Sequence, residues 1–127
     1  MSHFTTLKTR IVSKEHLEQA LETLDIQFEE GDLEIRGYQG IRTRVDIRIP
    51  TSNPDYQIGF QKQGDAYHLV ADWYGITDFK QDELVGLISQ RYAYLVAKEQ
   101  LESQDFTVVE EEVLPDKTIR FTVRRMT

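Results

Sequence analysis

A long amphipathic pattern between Asp82 and Gln104 places the strongest constraint on how this chain can fold. Large apolar residues recur there at steps of four, four and three, at Leu84, Ile88, Tyr92 and Leu95. Residues with this spacing share one side of an α-helix, and Val85 and Val96 widen that side. Asp78 or Asp82 is the expected N-cap. The pattern therefore predicts one long helix whose apolar side covers a sheet.

Alternating apolar and polar residues predict strands on both sides of this helix. The expected strands are His3–Val12, Leu33–Tyr38, Ile41–Ile49, Tyr56–Phe60, Tyr67–Trp73, Phe106–Leu114 and Thr118–Arg125. A short helix is expected after Ser13 as N-cap, because apolar residues with helical spacing follow at Leu17, Ala20, Leu21 and Leu24. Gly31 and Asp32 are expected to form a turn, and so is the segment from Pro115 to Lys117.

The predicted order of elements is β-α-β-β-β-β-α-β-β, within a single domain that spans residues 1–127. The expected class is α+β, with a mostly antiparallel sheet of about seven strands and two helices on one face. The most specific prediction is a ferredoxin-like core with an added hairpin.

Composition excludes several classes of function. The chain has no cysteine, which excludes disulfides, cysteine-bound zinc and iron–sulfur clusters. No apolar run is long enough to cross a membrane, and the N-terminus has no secretory pattern. We therefore expect a soluble protein, and the absence of cysteine fits a cytosolic or stromal location. The net charge of −7 opposes general affinity for nucleic acid or for anionic membranes.

The sequence contains no constellation that is typical of catalysis, so we assign no catalytic residue and favour a non-enzymatic role. The histidines His3, His16 and His68 lie on separate predicted elements without metal-ligand spacing, so neither a metal site nor a cofactor is predicted. Asp72, at the end of a predicted strand, is the most interesting carboxylate. Hydrogen bonding within a turn is the favoured interpretation of Asp72, and acid–base chemistry is the alternative.

Two surfaces are candidates for binding. Arg42, Arg44 and Arg48 alternate along one predicted strand, as in a basic surface that binds single-stranded nucleic acid, although a face of mixed charge is the favoured interpretation. A second stripe lies beside the apolar side of the long helix, at Leu87, Arg91, Tyr94, Lys98 and Leu101. Its composition is typical of protein interfaces, but the favoured interpretation is that Leu87 and Leu101 broaden the core while Arg91 and Lys98 lie at its margin.

Four motifs occur in one order along the chain: MSHFTTLKT at the N-terminus, RGYQG at Arg36–Gly40, LVADW at Leu69–Trp73 and QRYAY at Gln90–Tyr94. With the terminal IRFTVRR, they make the sequence resemble, nearly end to end, the family known as hypothetical chloroplast open reading frame thirty-five. The resemblance implies a cyanobacterial or plastid source, and it supplies no activity, cofactor or catalytic residue. Residues that carry the family motifs are candidates for binding or interface contacts: Arg36, Tyr38, Asp72, Trp73, Gln90, Arg91 and Tyr94.

Three functions remain open from the sequence. The leading hypothesis is a non-enzymatic accessory module that acts through a protein partner or through self-association. The alternative is a small-molecule binder or enzyme that uses Asp72, Trp73 and Arg91 around a cleft beside the long helix. Weak nucleic-acid binding through the arginine strand is the third.

Overall fold

A computed structural model of the protein describes residues 3–116 and 118–125. Met1 and Ser2 of the first family motif, and Lys117 of the predicted turn, lie outside these residues. Two helices and seven strands are present, which confirms the α+β class. Their bounds are β1 Thr5–Leu7, α1 Lys14–Thr23, β2 Glu29–Arg36, β3 Arg42–Pro50, β4 Gln57–Gln63, β5 Ala66–Ala71, α2 Gln81–Ser103, β6 Phe106–Val113 and β7 Ile119–Arg125.

The described strands divide into two sheets. Five of them form an antiparallel sheet in the order β1-β5-β4-β3-β2, and β6 and β7 pair with each other. This order differs from the ferredoxin-like core that the sequence predicts, which would need the strand after α2 to join the main sheet. The edge beside β5 is already taken by β1, with Thr5 opposite Ala71, so the last strands form a separate hairpin.

Both helices cover one face of the main sheet, as predicted. Leu17 and Leu21 of α1 and Leu84 and Ile88 of α2 are buried in the same cluster as Phe60 of β4. Tyr92 and Val85 pack against this cluster from the edge of α2, so the predicted apolar side of the long helix is confirmed over its first half. Leu95 and Val96, which the prediction also placed on this side, instead line surface cavities.

The second face of the sheet is covered by the end of the β2–β3 ribbon. Val70, which alternates with the core residues of β5, is buried with Ile35 and Val45 in a second cluster. The approach is so close that a Cβ atom on Gly59 would lie 2.4 Å from Cγ1 of Val45, so this position requires glycine. The main sheet therefore has the helices on one face and a small apolar cluster under the ribbon on the other.

The expected turn at Gly31 and Asp32 is wrong, because these residues lie inside β2. The pairing of β2 with β3 shifts between Glu30 and Leu33, where one extra residue on β2 forms a bulge. Gly31 has a φ of 135°, a conformation that glycine adopts at little cost. The bulge lets the strand continue where the sequence pattern suggests that it stops.

Strand β1 ends at Leu7 and not at Val12, where the sequence predicts its end. At Thr9, hydrogen bonds that involve side chains take the place of the backbone pairing with β5. The backbone N–H of Thr9 donates to Nδ1 of His68 at 3.0 Å, and the Thr9 hydroxyl donates to the Tyr67 carbonyl at 2.6 Å. The predicted N-cap Ser13 is confirmed, but the prediction that Asp78 or Asp82 caps α2 is wrong. Ser13 caps α1 and accepts from the His16 N–H, whereas Lys80 precedes α2 without a side-chain cap.

Candidate binding site

Asp72 lies buried in a corner at the end of β5. Its side chain is only 1% exposed, and both carboxylate oxygens accept backbone N–H groups. Tyr38 N–H donates to Oδ2 at 2.9 Å, and Tyr74 N–H donates to Oδ1 at 3.2 Å. A Cβ atom on Gly37 would lie 2.8 Å from Cβ of Asp72, so the two turns touch. This is the turn hydrogen bonding that the sequence analysis favours for Asp72.

Other family-motif residues surround the same corner. The Arg36 N–H donates to Oε1 of Gln57 at 2.8 Å, and Nη2 of Arg36 donates to the Pro54 carbonyl at 2.7 Å. Trp73 and Tyr38 are partly buried against the main core. These contacts join loops to strands and so stabilise the fold.

The remaining candidates, Gln90, Arg91 and Tyr94, lie on α2. Tyr94 is 9% exposed; its ring stacks on Phe121 of β7 at 5.5 Å, and its hydroxyl donates to Glu111 of β6 at 2.5 Å. The Arg91 guanidinium lies 4.9 Å from the centre of the Tyr94 ring. Among the described residues, no hydrogen bond or ring contact joins Arg91 or Tyr94 to the Asp72 corner. The candidates therefore fall into two groups.

The environment of Tyr94 favours its neutral form. Burial and the hydrogen bond to Glu111 raise the pKa of the Tyr94 hydroxyl above its usual value. Lys98, whose Nζ donates to the same hydroxyl at 3.5 Å, has its pKa raised mainly by this bond. The α2 stripe predicted as an interface thus holds the C-terminal hairpin through part of its length, while Leu87 of the same stripe is 46% exposed.

The opposite side of α2 carries an open cavity that sequence reasoning did not find. This cavity, here called the α2 groove, has a volume of about 800 Å³. It lies between the segment after β1 and the exposed flank of α2. Its lining consists of Lys8, Thr9, Arg10, Ile11, Ser89, Tyr92, Ala93, Val96, Ala97 and Gln100. Segments this far apart in sequence give no local pattern that would predict a shared cavity.

Hydrogen bonds fix both walls of the α2 groove. The Tyr92 hydroxyl accepts the backbone N–H groups of Val12 at 3.1 Å and Ser13 at 3.0 Å. Beside it, His16 joins the Ser13 hydroxyl at 2.7 Å to the Glu99 carboxylate, which ties α1 to α2. The Ser-x-x-His spacing is visible in the sequence, but its connection to Glu99 is not.

Charge differs sharply between the arginine strand and the α2 groove. Arg42, Arg44 and Arg48 each have a carboxylate partner, such as Glu29 at 2.9 Å from Arg48, so they do not form a basic patch. Lys8 and Arg10 on the rim of the groove take part in no ion pair within the part of the chain that the structure describes. The groove is therefore apolar inside and locally basic at one rim.

Among residues 3–116 and 118–125, no cluster of histidine and acidic side chains is arranged to hold a metal ion. Nor does any helix in these ranges have the length and apolar character needed to cross a membrane. The geometry is that of a small α+β protein whose long helix borders a cavity on one flank and carries a β-hairpin on the other. The chain belongs to the family described as protein of unknown function DUF1257, whose model matches residues 20–122.

Relatives of similar length align with this chain over nearly its whole length. It is 34% identical to the uncharacterized protein ycf35 of Cyanophora paradoxa, and the match covers 98% of both chains. The ycf35 proteins of Guillardia theta and Pyropia yezoensis are 32% and 30% identical with the same coverage. These matches confirm the family that the sequence motifs indicate. No solved structure matches the chain.

Proposed function

We propose that this protein is a non-enzymatic accessory module that binds a protein partner, and that the α2 groove docks an acidic amphipathic helix of that partner. The observation that carries the proposal is the groove itself, which is open and apolar and is bordered by Lys8 and Arg10, two cations with no ion pair among the described residues. The ycf35 relatives support a cyanobacterial cytoplasm or a plastid stroma as the place of action.

The floor of the groove favours a helix as the occupant. Ser89, Ala93 and Ala97 follow one another at steps of four residues on α2, so small side chains form a continuous row. The distance between two packed helices depends on side-chain size at the contact, and small residues permit a close approach. Val96 and the ring of Tyr92, which are both half-buried, supply the apolar surface that the buried side of an amphipathic helix requires.

The rim favours acidic side chains on that helix. Lys8 and Arg10 provide positive charge on a chain whose net charge is −7. Local complementarity of this kind directs docking and raises association rates, while the overall charge repels acidic proteins that lack a matching apolar side.

A display library of peptides from a cyanobacterial proteome tests the proposal. We expect the wild type to enrich acidic amphipathic sequences, and we expect Ala93→Arg to lose them, because the new side chain fills the floor. Leu87→Arg is the matched control, since it adds the same charge at an exposed position outside the groove. Enrichment that survives Ala93→Arg, or that fails to select acidic sequences in the wild type, would contradict helix docking.

A small amphiphilic anion is the second candidate for the same groove. Its volume of about 800 Å³ falls within the range of small-molecule sites. Five surface cavities of residues 3–116 and 118–125, the α2 groove among them, are lined by none of Asp72, Trp73 and Arg91. They therefore give no support to the cleft that the alternative hypothesis places around these residues. A fluorescent fatty acid that brightens with the wild type and not with Ala93→Arg would favour this candidate.

A further inference from the structure

The C-terminal hairpin of β6 and β7 stands apart from the main sheet. Within the described chain these two strands pair only with each other, and α2 supports them through Tyr94, Lys98 and their contacts with Glu111 and Phe121. An isolated two-stranded ribbon leaves the outer N–H and C=O groups of both strands unpaired. Such an edge is a template for an additional strand.

The two outer edges are not equivalent. The pairing of β6 shifts between Val108 and Glu110, so a bulge interrupts its edge at Val109. Strand β7 runs without a bulge from Ile119 to Arg125. An incoming strand therefore finds a regular row of backbone groups on β7 and an irregular one on β6.

The charges on the hairpin argue against a symmetric dimer in which β7 pairs with β7, or β6 with β6, of a second copy of this chain. Strand β7 carries Arg120, Arg124 and Arg125, and β6 carries three consecutive glutamates at 110–112. Antiparallel pairing of β7 with its own copy around a two-fold axis at Thr122, the centre of the strand, brings Arg120 opposite Arg124. The same operation on β6 around Glu111 brings glutamate opposite glutamate. Like charges directly opposite each other destabilise a pair of strands.

We propose that β7 binds an extended acidic segment of a different protein as a third strand of the hairpin. Arg120, Thr122 and Arg124 share one face of β7, and Ile119, Phe121 and Val123 share the other. The bound segment is therefore one in which acidic and apolar residues alternate. Its acidic residues contact the arginine face, and its apolar residues extend the face on which Val123 is 36% exposed.

This proposal does not depend on the α2 groove, which takes a helix and lies on the other flank of α2. The positive charge that is available for binding lies on the outer edge of β7. Arg120 already pairs with Glu112, whereas Arg124 has no ion pair within the described ranges. Arg124 is therefore the side chain whose charge can be reversed without breaking a contact of the hairpin.

The test uses the full chain and two fluorescent peptides, one of alternating valine and glutamate and one of alternating valine and lysine. We expect the wild type to bind the glutamate peptide, and we expect Arg124→Glu to weaken it by about tenfold while it gains the lysine peptide. The charge reversal Lys8→Glu with Arg10→Glu, at the α2 groove, should leave both affinities unchanged. Hydrogen exchange should show new protection of β7 amides when the glutamate peptide is bound.

Three results would overturn the proposal: no binding of the glutamate peptide up to about 1 mM, equal binding of both peptides, or binding unaffected by Arg124→Glu. Hydrogen exchange of the unbound variant confirms that its hairpin remains folded. Loss of binding in the groove variant alone would assign the peptide to the α2 groove instead. That result separates the failure of this inference from the failure of the proposed function.

Discussion

At the scale of single residues, Asp72 shows how a side chain that resembles an active-site acid can serve structure. It joins the turn before β3 to the turn after β5 by accepting the backbone N–H groups of Tyr38 and Tyr74. Because Asp72 is only 1% exposed, its carboxylate offers a substrate almost no surface to contact. The bonds themselves explain why an acidic residue occupies the corner.

We expect Asp72→Asn to lower the free energy of unfolding by about 1–3 kcal/mol, because the amide NH₂ group faces a backbone N–H that has lost its acceptor. Urea denaturation of both proteins measures the change. Asp65→Asn, at an exposed turn position, serves as the control and should alter stability little. A loss no larger than that of the control would show that the corner relies on packing alone.

We expect Tyr94 to make the free energy of unfolding depend on pH in the alkaline range. Burial and the bond to Glu111 raise its pKa, so the neutral hydroxyl stabilises the fold below the unfolded pKa of about 10. That contribution is lost as the pH rises through the folded pKa. Unfolding free energies measured from about pH 9 to 11 should therefore fall more steeply for the wild type than for Tyr94→Phe. Parallel curves would contradict this assignment.

At the scale of elements, α2 organises three surfaces at once. One side packs on the main sheet, one flank forms the floor of the α2 groove, and the other flank carries the β6–β7 hairpin. Tyr92 links the core side to the groove, because its hydroxyl accepts two backbone N–H groups before α1.

Removal of that hydroxyl should loosen one wall of the groove. In Tyr92→Phe the N–H groups of Val12 and Ser13 lose their acceptor, so we expect faster hydrogen exchange at both and a destabilisation of about 1–2 kcal/mol. Tyr74→Phe is the control, since Tyr74 is 71% exposed. Unchanged exchange at Val12 and Ser13 would mean that the ring, rather than the hydroxyl, holds the wall.

At the scale of the whole molecule, the core is complete before the hairpin begins. Both buried clusters consist of residues between Ile11 and Ile88, and none comes from β6 or β7. A chain that ends at Gln104 should therefore still unfold cooperatively, with a smaller dependence on urea because less surface is exposed on unfolding. Loss of the cooperative transition would show that the hairpin is needed for folding.

Periodicity along the chain predicts those features of the fold that depend on local pattern. The core side of α2 and the Ser13 cap follow from the spacing of residues such as Leu84 and Ile88. The family motifs identify residues that hold the Asp72 corner and the hairpin. The single-domain expectation stays a prediction.

Features that depend on contacts between distant segments were not predictable in this way. Thr9 leaves the ladder of β1 because His68 supplies an acceptor, and no propensity of residues 8–12 indicates this. The α2 groove likewise arises only when the Tyr92 hydroxyl draws the chain before α1 onto α2. The hairpin is separate because β1, and not a strand that follows α2, pairs with the edge of β5. The sequence of either strand alone does not indicate which of them pairs there.

The hydroxyl contacts of Tyr92 and Tyr94 restrict rotation of α2 about its own axis. The two residues are two positions apart, so their side chains leave the helix at about 200° to each other. One holds the chain before α1 and the other holds β6, on opposite flanks. A rotation of the helix displaces both hydroxyls relative to their partners. The two hydrogen bonds therefore oppose any change in the angle between the groove and the hairpin.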